Sequence, residues 1–108
     1  MSYDKTNNVS FELILHSGNA KSSAMEAFRL AKSNDFEKAE KKLDEAQEEL
    51  VKAHEIQTDL IVAEARGEKS EVDILMVHAQ DHLNGALIVI DLVTELIDMC
   101  KTIAEVKK

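Results

Sequence analysis

Phe36-Glu37-Lys38-Ala39-Glu40-Lys41-Lys42-Leu43-Asp44-Glu45-Ala46 opens the run whose spacing decides the fold. Phe36, Leu43, Leu50 and Gln57 recur every seven residues in one row, and Ala39, Ala46, Ala53 and Leu60 in a second. Two such rows lie side by side on one face of an α-helix and form a coiled-coil-like seam. The charged run from Glu37 to Lys42 falls mainly on the outer faces and reads as a solvated surface, not a binding tract. A helix is therefore predicted from Phe36 to about Ala65, with Asp35 as its N-cap and Gln57 as a polar residue in one core slot.

Working outward, two short breaks flank this helix. Ser33-Asn34-Asp35 precedes it, and Arg66-Gly67-Glu68-Lys69-Ser70 follows it. Gly67 suits a helix C-terminus, and Ser70 suits an N-cap with Asp73 completing a box-like pairing. Upstream, a helix is predicted from about Val9 to Lys32, with Asn8 or Ser10 as cap candidates. Phe11, Leu15, Ala24, Phe28 and Ala31 are among its apolar positions. Gly18 interrupts it at a cost of about 1 kcal/mol against alanine, which is expected to let another backbone approach. Downstream, a third helix is predicted from Glu71 to about Glu105. The 108 residues contain no proline and suffice for one domain, residues 1–108. The expectation is all-α: an antiparallel three-helix up-down-up bundle.

Composition excludes several functions. A net charge of -8 argues against a grip on nucleic acid phosphates and against anionic membrane surfaces. Asp81, His82 and Asp91 interrupt the longest apolar stretch, so direct membrane insertion is not expected. Cys100 is the lone cysteine, which rules out an internal disulfide and fits a reducing, cytoplasmic setting. Its thiol is expected to pack in the core.

The third helix carries more apolar surface than one partner face needs. At 100° per residue, Leu75, His78, His82, Gly85, Val89, Leu92 and Leu96 share one face, and Ile74, Val77, Asp81 and Ile88 lie on a neighbouring one. A second copy of the chain is the simplest cover, and a cyclic homo-oligomer follows.

Within that helix, His78-Ala79-Gln80-Asp81-His82 crowds three ionisable groups into about one turn of an apolar segment. His78 and His82 share a face, Asp81 lies about 60° from His78, and Gln80 points roughly opposite His78. Three readings stand side by side. Two packed, hydrogen-bonded histidines need no further role. A metal site fits the i, i+4 histidine spacing, although Ala79 occupies the position where a metalloprotease needs its glutamate. In an oligomer Asp81 is the better ligand, because carboxylates meeting on an axis require a proton or a cation. Finally, an imidazole accepts a phosphoryl group on one nitrogen when the other is held.

These residues also carry a family likeness. Leu75-Met76-Val77-His78-Ala79-Gln80-Asp81-His82-Leu83, preceded by Gly67-Glu68-Lys69, resembles the lactose/cellobiose-type IIA components of the bacterial phosphoenolpyruvate-dependent sugar phosphotransferase system. The likeness extends through Leu15-His16-Ser17-Gly18-Asn19-Ala20-Lys21-Ser22 and Ala53-His54-Glu55-Ile56-Gln57-Thr58. It implies a homotrimer in which His78 accepts a phosphoryl group from the histidine-containing carrier protein. His78 then passes the group to a cysteine of the cognate IIB component during sugar uptake. It also implies that three Asp81 carboxylates surround one divalent cation per trimer, magnesium by expectation. His82 and Gln80 are assigned supporting roles. The competing reading is a non-catalytic, metal-stabilised trimeric interaction or regulatory module. Asn84, Gly85 and Ile90 depart from the family pattern, and the lost basic charge at Ile90 is expected to weaken phosphate or partner contacts. His16 and His54 read as surface or packing histidines, with His16 a candidate to line the groove of a neighbouring subunit. The sugar served is not legible in a carrier that does not touch it.

Overall fold

A computed structural model describes residues 2–69 and 71–108, with side chains from residue 8 onward. Three helices account for nearly all of it: α1 (Ser2–Lys32), α2 (Phe36–Ala65) and α3 (Ile74–Val106). They run antiparallel in a bundle about 60 Å long and 20 Å across. The first helix packs along both others, whereas α2 and α3 meet over a much shorter stretch.

Both turns are closed by left-handed residues. Asn34 at φ 64° lets Asp35 N–H donate to Leu30 O at 3.0 Å and Asn34 N–H to Ala31 O at 3.0 Å. Gly67 at φ 88° does the same after α2, with Glu68 N–H to Ala63 O at 3.1 Å and Gly67 N–H to Glu64 O at 2.9 Å. These paired bonds satisfy the last carbonyls of each helix, and Gly and Asn tolerate the positive φ they require. Asp35 caps α2 as the sequence indicates, accepting from Lys38 N at 3.3 Å.

Two boundaries differ from expectation. The first helix starts at Ser2, not near Val9, so Asn8 and Ser10 lie inside it and cap nothing. Ser10 is fully buried, and its hydroxyl reaches Met76 Sδ at 3.9 Å on α3. The third helix starts at Ile74, not at Glu71, and Asp73 is its cap, accepting from Met76 N at 2.8 Å. A carboxylate there satisfies an orphan amide and faces the positive end of the helix dipole. Ser70, the cap suggested by the sequence, lies outside the described residues.

The heptad rows of α2 face inward as expected. Ala39, Leu43, Ala46 and Ala53 are buried, and Phe36, Leu50 and Leu60 pack against them partly covered. On α1 the inner stripe is Leu13, Ala20, Ala24, Ala27 and Ala31. Short alanine side chains let α1 sit close to both neighbours. Phe11 and Leu15, expected among its apolar positions, stay 58% and 57% exposed. Among the described residues nothing lies within 4 Å of where a Cβ would stand on Gly18, so the close approach expected there is not made within the chain.

The buried stripe of α3 is a third face: Met76, Ala79, Leu83, Ala86, Ile90, Val93 and Ile97. It lies about 110° round the helix from His78, and the Asp81 face lies on the other side of His78. Val77, Ile88 and Leu92 therefore remain 56%, 51% and 58% exposed. The chain covers one face of a helix that is apolar on several. Leu83, 1% exposed, anchors the core beneath the histidine turn with Leu13, Ala53 and Met76. Truncating Leu83 to alanine costs about 2–5 kcal/mol and loosens that turn first.

Candidate functional site

Asp73, Met76 and Ala79 set the start of α3. The Asp73 cap fixes the first turn, and Met76 and Ala79 bury their side chains against α1 and α2. That rotation turns His78 out to solvent and leaves His82 half-buried one turn further on. The two imidazoles meet tip to edge. Their Nε2 atoms are 3.0 Å apart, their ring centroids 4.4 Å apart, and the rings stand at 82° to one another. With both rings neutral, this bond needs one Nε2–H donor and one bare Nε2 acceptor. The accepting ring then carries its proton on Nδ1. A histidine poised to use Nε2 as a nucleophile is in that tautomer.

Behind the histidines runs a polar chain that crosses all three helices. Gln57 Nε2 on α2 donates to Gln80 Oε1 on α3 at 2.7 Å. Gln80 Nε2 in turn reaches Met76 Sδ at 3.5 Å, the sulfur that Ser10 of α1 also approaches. Gln80 thus points away from His78, as the helical spacing indicates. Its partner was not legible from sequence, although an amide in a heptad core slot was itself the signal.

Asp81 is exposed on the second apolar face, between Val77 and Ile88. Among the described residues it joins no ion pair, and no group of three His, Cys, Asp or Glu side chains is placed to hold a metal. Among the described residues the structure thus pairs His78 with His82 but leaves Asp81 separate.

His16 lies elsewhere. Its Nδ1 is 2.6 Å from Glu49 Oε2, a bridge from α1 to α2 that the sequence did not reveal. This bond, first of all, holds the Glu49 carboxyl below its usual range; Lys52 and Asn19 add to it, and burial opposes it. His54 is exposed on the outer face of α2. Ile90 is 4% exposed in the core, so its departure from the family pattern removes no charge from the histidine surface. The expectation that it weakens phosphate contacts is corrected by its burial. Asn84 and Gly85 lie one turn beyond the histidines, and among the described residues nothing lies within 4 Å of where a Cβ would stand on Gly85. Cys100 is half-buried against the lower part of the core.

The family model for the lactose/cellobiose-specific IIA subunit of the phosphotransferase system matches residues 8–101. The chain belongs to this family. It is 57% identical over 95 residues to the lichenan-specific phosphotransferase enzyme IIA component of Bacillus subtilis, spanning 88% of this chain and 86% of that one. The crystal structure of the cellobiose-specific enzyme IIA from Bacillus anthracis superposes with a TM-score of 0.88 at 46% identity, covering 91% of this chain and 90% of that one. The IIA(Chitobiose) component of the Escherichia coli system, solved in solution as its complex with HPr, gives a TM-score of 0.77 at 37% identity, over 90% and 94% of the two chains. This IIA-family chain is thus a sugar phosphotransferase system component in sequence and in fold. No helix among its described residues is long and apolar enough to cross a membrane.

Proposed function

We propose that this IIA-family chain is a cytoplasmic phosphocarrier whose working group is Nε2 of His78. The observation that carries the reading is the exposed His78 ring joined to His82 at 3.0 Å. The histidine-containing carrier protein supplies the phosphoryl group. Its nitrogen–phosphorus bond breaks as the His78 Nε2–phosphorus bond forms. The chitobiose relative solved in complex with HPr supports that choice of donor. His82 is close enough that a phosphoryl group on Nε2 must displace it from that atom. Its own N–H then turns to a phosphoryl oxygen and stabilises the transferring charge. In the second half of the cycle a cysteine thiolate of the cognate IIB component attacks phosphorus, and His78 leaves as neutral imidazole. The sugar is of the lactose/cellobiose class and never contacts this chain.

Assembly belongs to the same proposal. The exposed stripe of Val77, Ile88 and Leu92 around Asp81 suits a three-fold axis. Three carboxylates brought together there repel unless a proton or a cation joins them. Oxygen donors alone suit a hard divalent ion such as magnesium. A bound ion would neutralise that charge and hold the trimer; the phosphoryl steps use His78 and His82 alone. The non-catalytic module remains the competing reading, favoured by the same stripe, and it differs in predicting no phosphoryl uptake.

The test of the chemistry is phosphorus–nitrogen correlation by NMR on the phosphorylated, nitrogen-15-labelled protein. Coupling of phosphorus to His78 Nε2 is the expected result. Coupling to His16, His54 or His82, or to Nδ1 of His78, would overturn the assignment.

A further inference from the structure

The Gln57–Gln80 bond crosses the interface between α2 and α3, the least extensive of the three. The second and third helices share little surface, and a groove of about 220 Å³ opens between them here, lined by Gln57, Ile61, Val72, Val77 and Gln80. Side chains at the entry to α3 are bare: Val72 is 77% exposed and Ile74, its first residue, 88%. His78 is the fifth residue of this helix, so fraying of its first turns reaches the site directly. Gln57 occupies a slot whose row-mates are Phe36, Leu43 and Leu50. An amide in such a slot is a poor choice for stability alone, because an apolar side chain of equal size would bury more cheaply. Its bond of 2.7 Å to Gln80 gives it a partner across the weak interface. The chain then continues through Gln80 to Met76 at 3.5 Å and ends on Ser10 of α1. Met76 and Gln80 bracket His78 in sequence, and Gln80 lies about 160° round the helix from it. A pull on Gln80 toward α2 therefore presents His78 outward on the opposite side. If α3 turned by about 20°, a side-chain tip roughly 6 Å from the helix axis would move by about 2 Å. Displacements of about 1 Å already cost large factors in transfer reactions.

We propose that Gln57 is a positioning residue of the phosphoryl site: its amide latches Gln80 and holds the first turns of α3 at the rotation that presents the His78–His82 pair to partner proteins. The inference rests on the phosphocarrier reading of His78.

Two variants test it. Gln57→Met keeps length and helix propensity but breaks the bond to Gln80. Gln57→Glu keeps a bond, since a carboxylate accepts from the Gln80 amide once that amide flips. Initial rates of phosphoryl uptake from phosphorylated carrier protein are measured on both and on wild type, with thermal midpoints and amide exchange at residues 76–82. The expected result for Gln57→Met is a roughly 5–10-fold slower uptake, faster exchange at those amides and a thermal midpoint equal to or above wild type, with Gln57→Glu within about two-fold of wild type. Slower uptake without lost stability is something a merely structural role would not produce. Wild-type uptake by Gln57→Met overturns the inference and leaves the carrier reading standing. Wild-type protein that takes no phosphoryl group on His78 overturns the carrier reading, and the inference with it.

Discussion

His78 and His82 are joined Nε2 to Nε2 at 3.0 Å, one helical turn apart on α3, with their rings nearly perpendicular. With both rings neutral, a single proton lies between the two nitrogens. The pair thus offers one nitrogen as nucleophile and the other as donor without help from a distant residue.

Replacing His82 with alanine removes that donor and leaves His78 in place. Phosphoryl uptake should fall by about 10–100-fold, because one preorganised donor to a transferring oxyanion contributes on that scale. His82→Gln, which keeps an N–H, should recover part of it. Stopped-time phosphorylation assays make the comparison, and equal rates for alanine and wild type would contradict a supporting role for His82.

On the proposed three-fold assembly, Asp81→Leu should give a trimer that does not depend on divalent ions, since it would replace three mutually repelling carboxylates with apolar contacts. Sedimentation with and without chelator reads this directly. A leucine variant that dissociates more readily than wild type when metal is removed would count against the axial-ion proposal.

The two-residue bridge between His16 and Glu49 gives stability a pH signature. The Glu49 carboxyl is held below its usual value, first by the hydrogen bond with His16. A carboxyl whose folded pKa is depressed contributes stability above its unfolded value, about 4.3, and loses it as pH falls through the folded value. The stability gap between wild type and Glu49→Gln should therefore be full at neutral pH, narrow once pH falls below about 4.3, and close only below the lowered folded value. Denaturant titrations across that range measure it, and a gap independent of pH would contradict the assignment.

Ser17 is 1% exposed, and its hydroxyl has no hydrogen-bond partner in the described structure. Removing a buried, unpaired hydroxyl from a helix interior relieves desolvation and improves helix propensity. Ser17→Ala should stabilise the fold by about 1 kcal/mol, a rise of several degrees in Tm for a chain of this size. A loss of stability would mean that Ser17 has a partner in the assembled protein.

Much of this fold was legible because α2 repeats its apolar residues with a strict period, and that period survives in the structure from Phe36 to Leu60. Asp35 and Gly67 were legible as helix boundaries for the same local reason. The start of α1 was not, because Ser10 looks like a cap in sequence and is claimed by a tertiary contact with Met76. The core face of α3 was hidden too, since a helix apolar on several sides does not announce which stripe meets the other two helices. The histidine pair followed from i, i+4 spacing alone. The Gln57–Gln80 bond did not, because it joins residues on different helices. Nor did the His16–Glu49 bridge, which spans 33 positions in the chain.

The most direct measurement is the intact mass of wild type and His78→Ala after incubation with phosphoenolpyruvate, Enzyme I and the histidine carrier. A single phosphoryl adduct, labile in acid and stable in alkali, should appear on wild type and be absent from the alanine variant. An adduct that persists on His78→Ala, or none on wild type in the presence of active upstream proteins, would contradict the account.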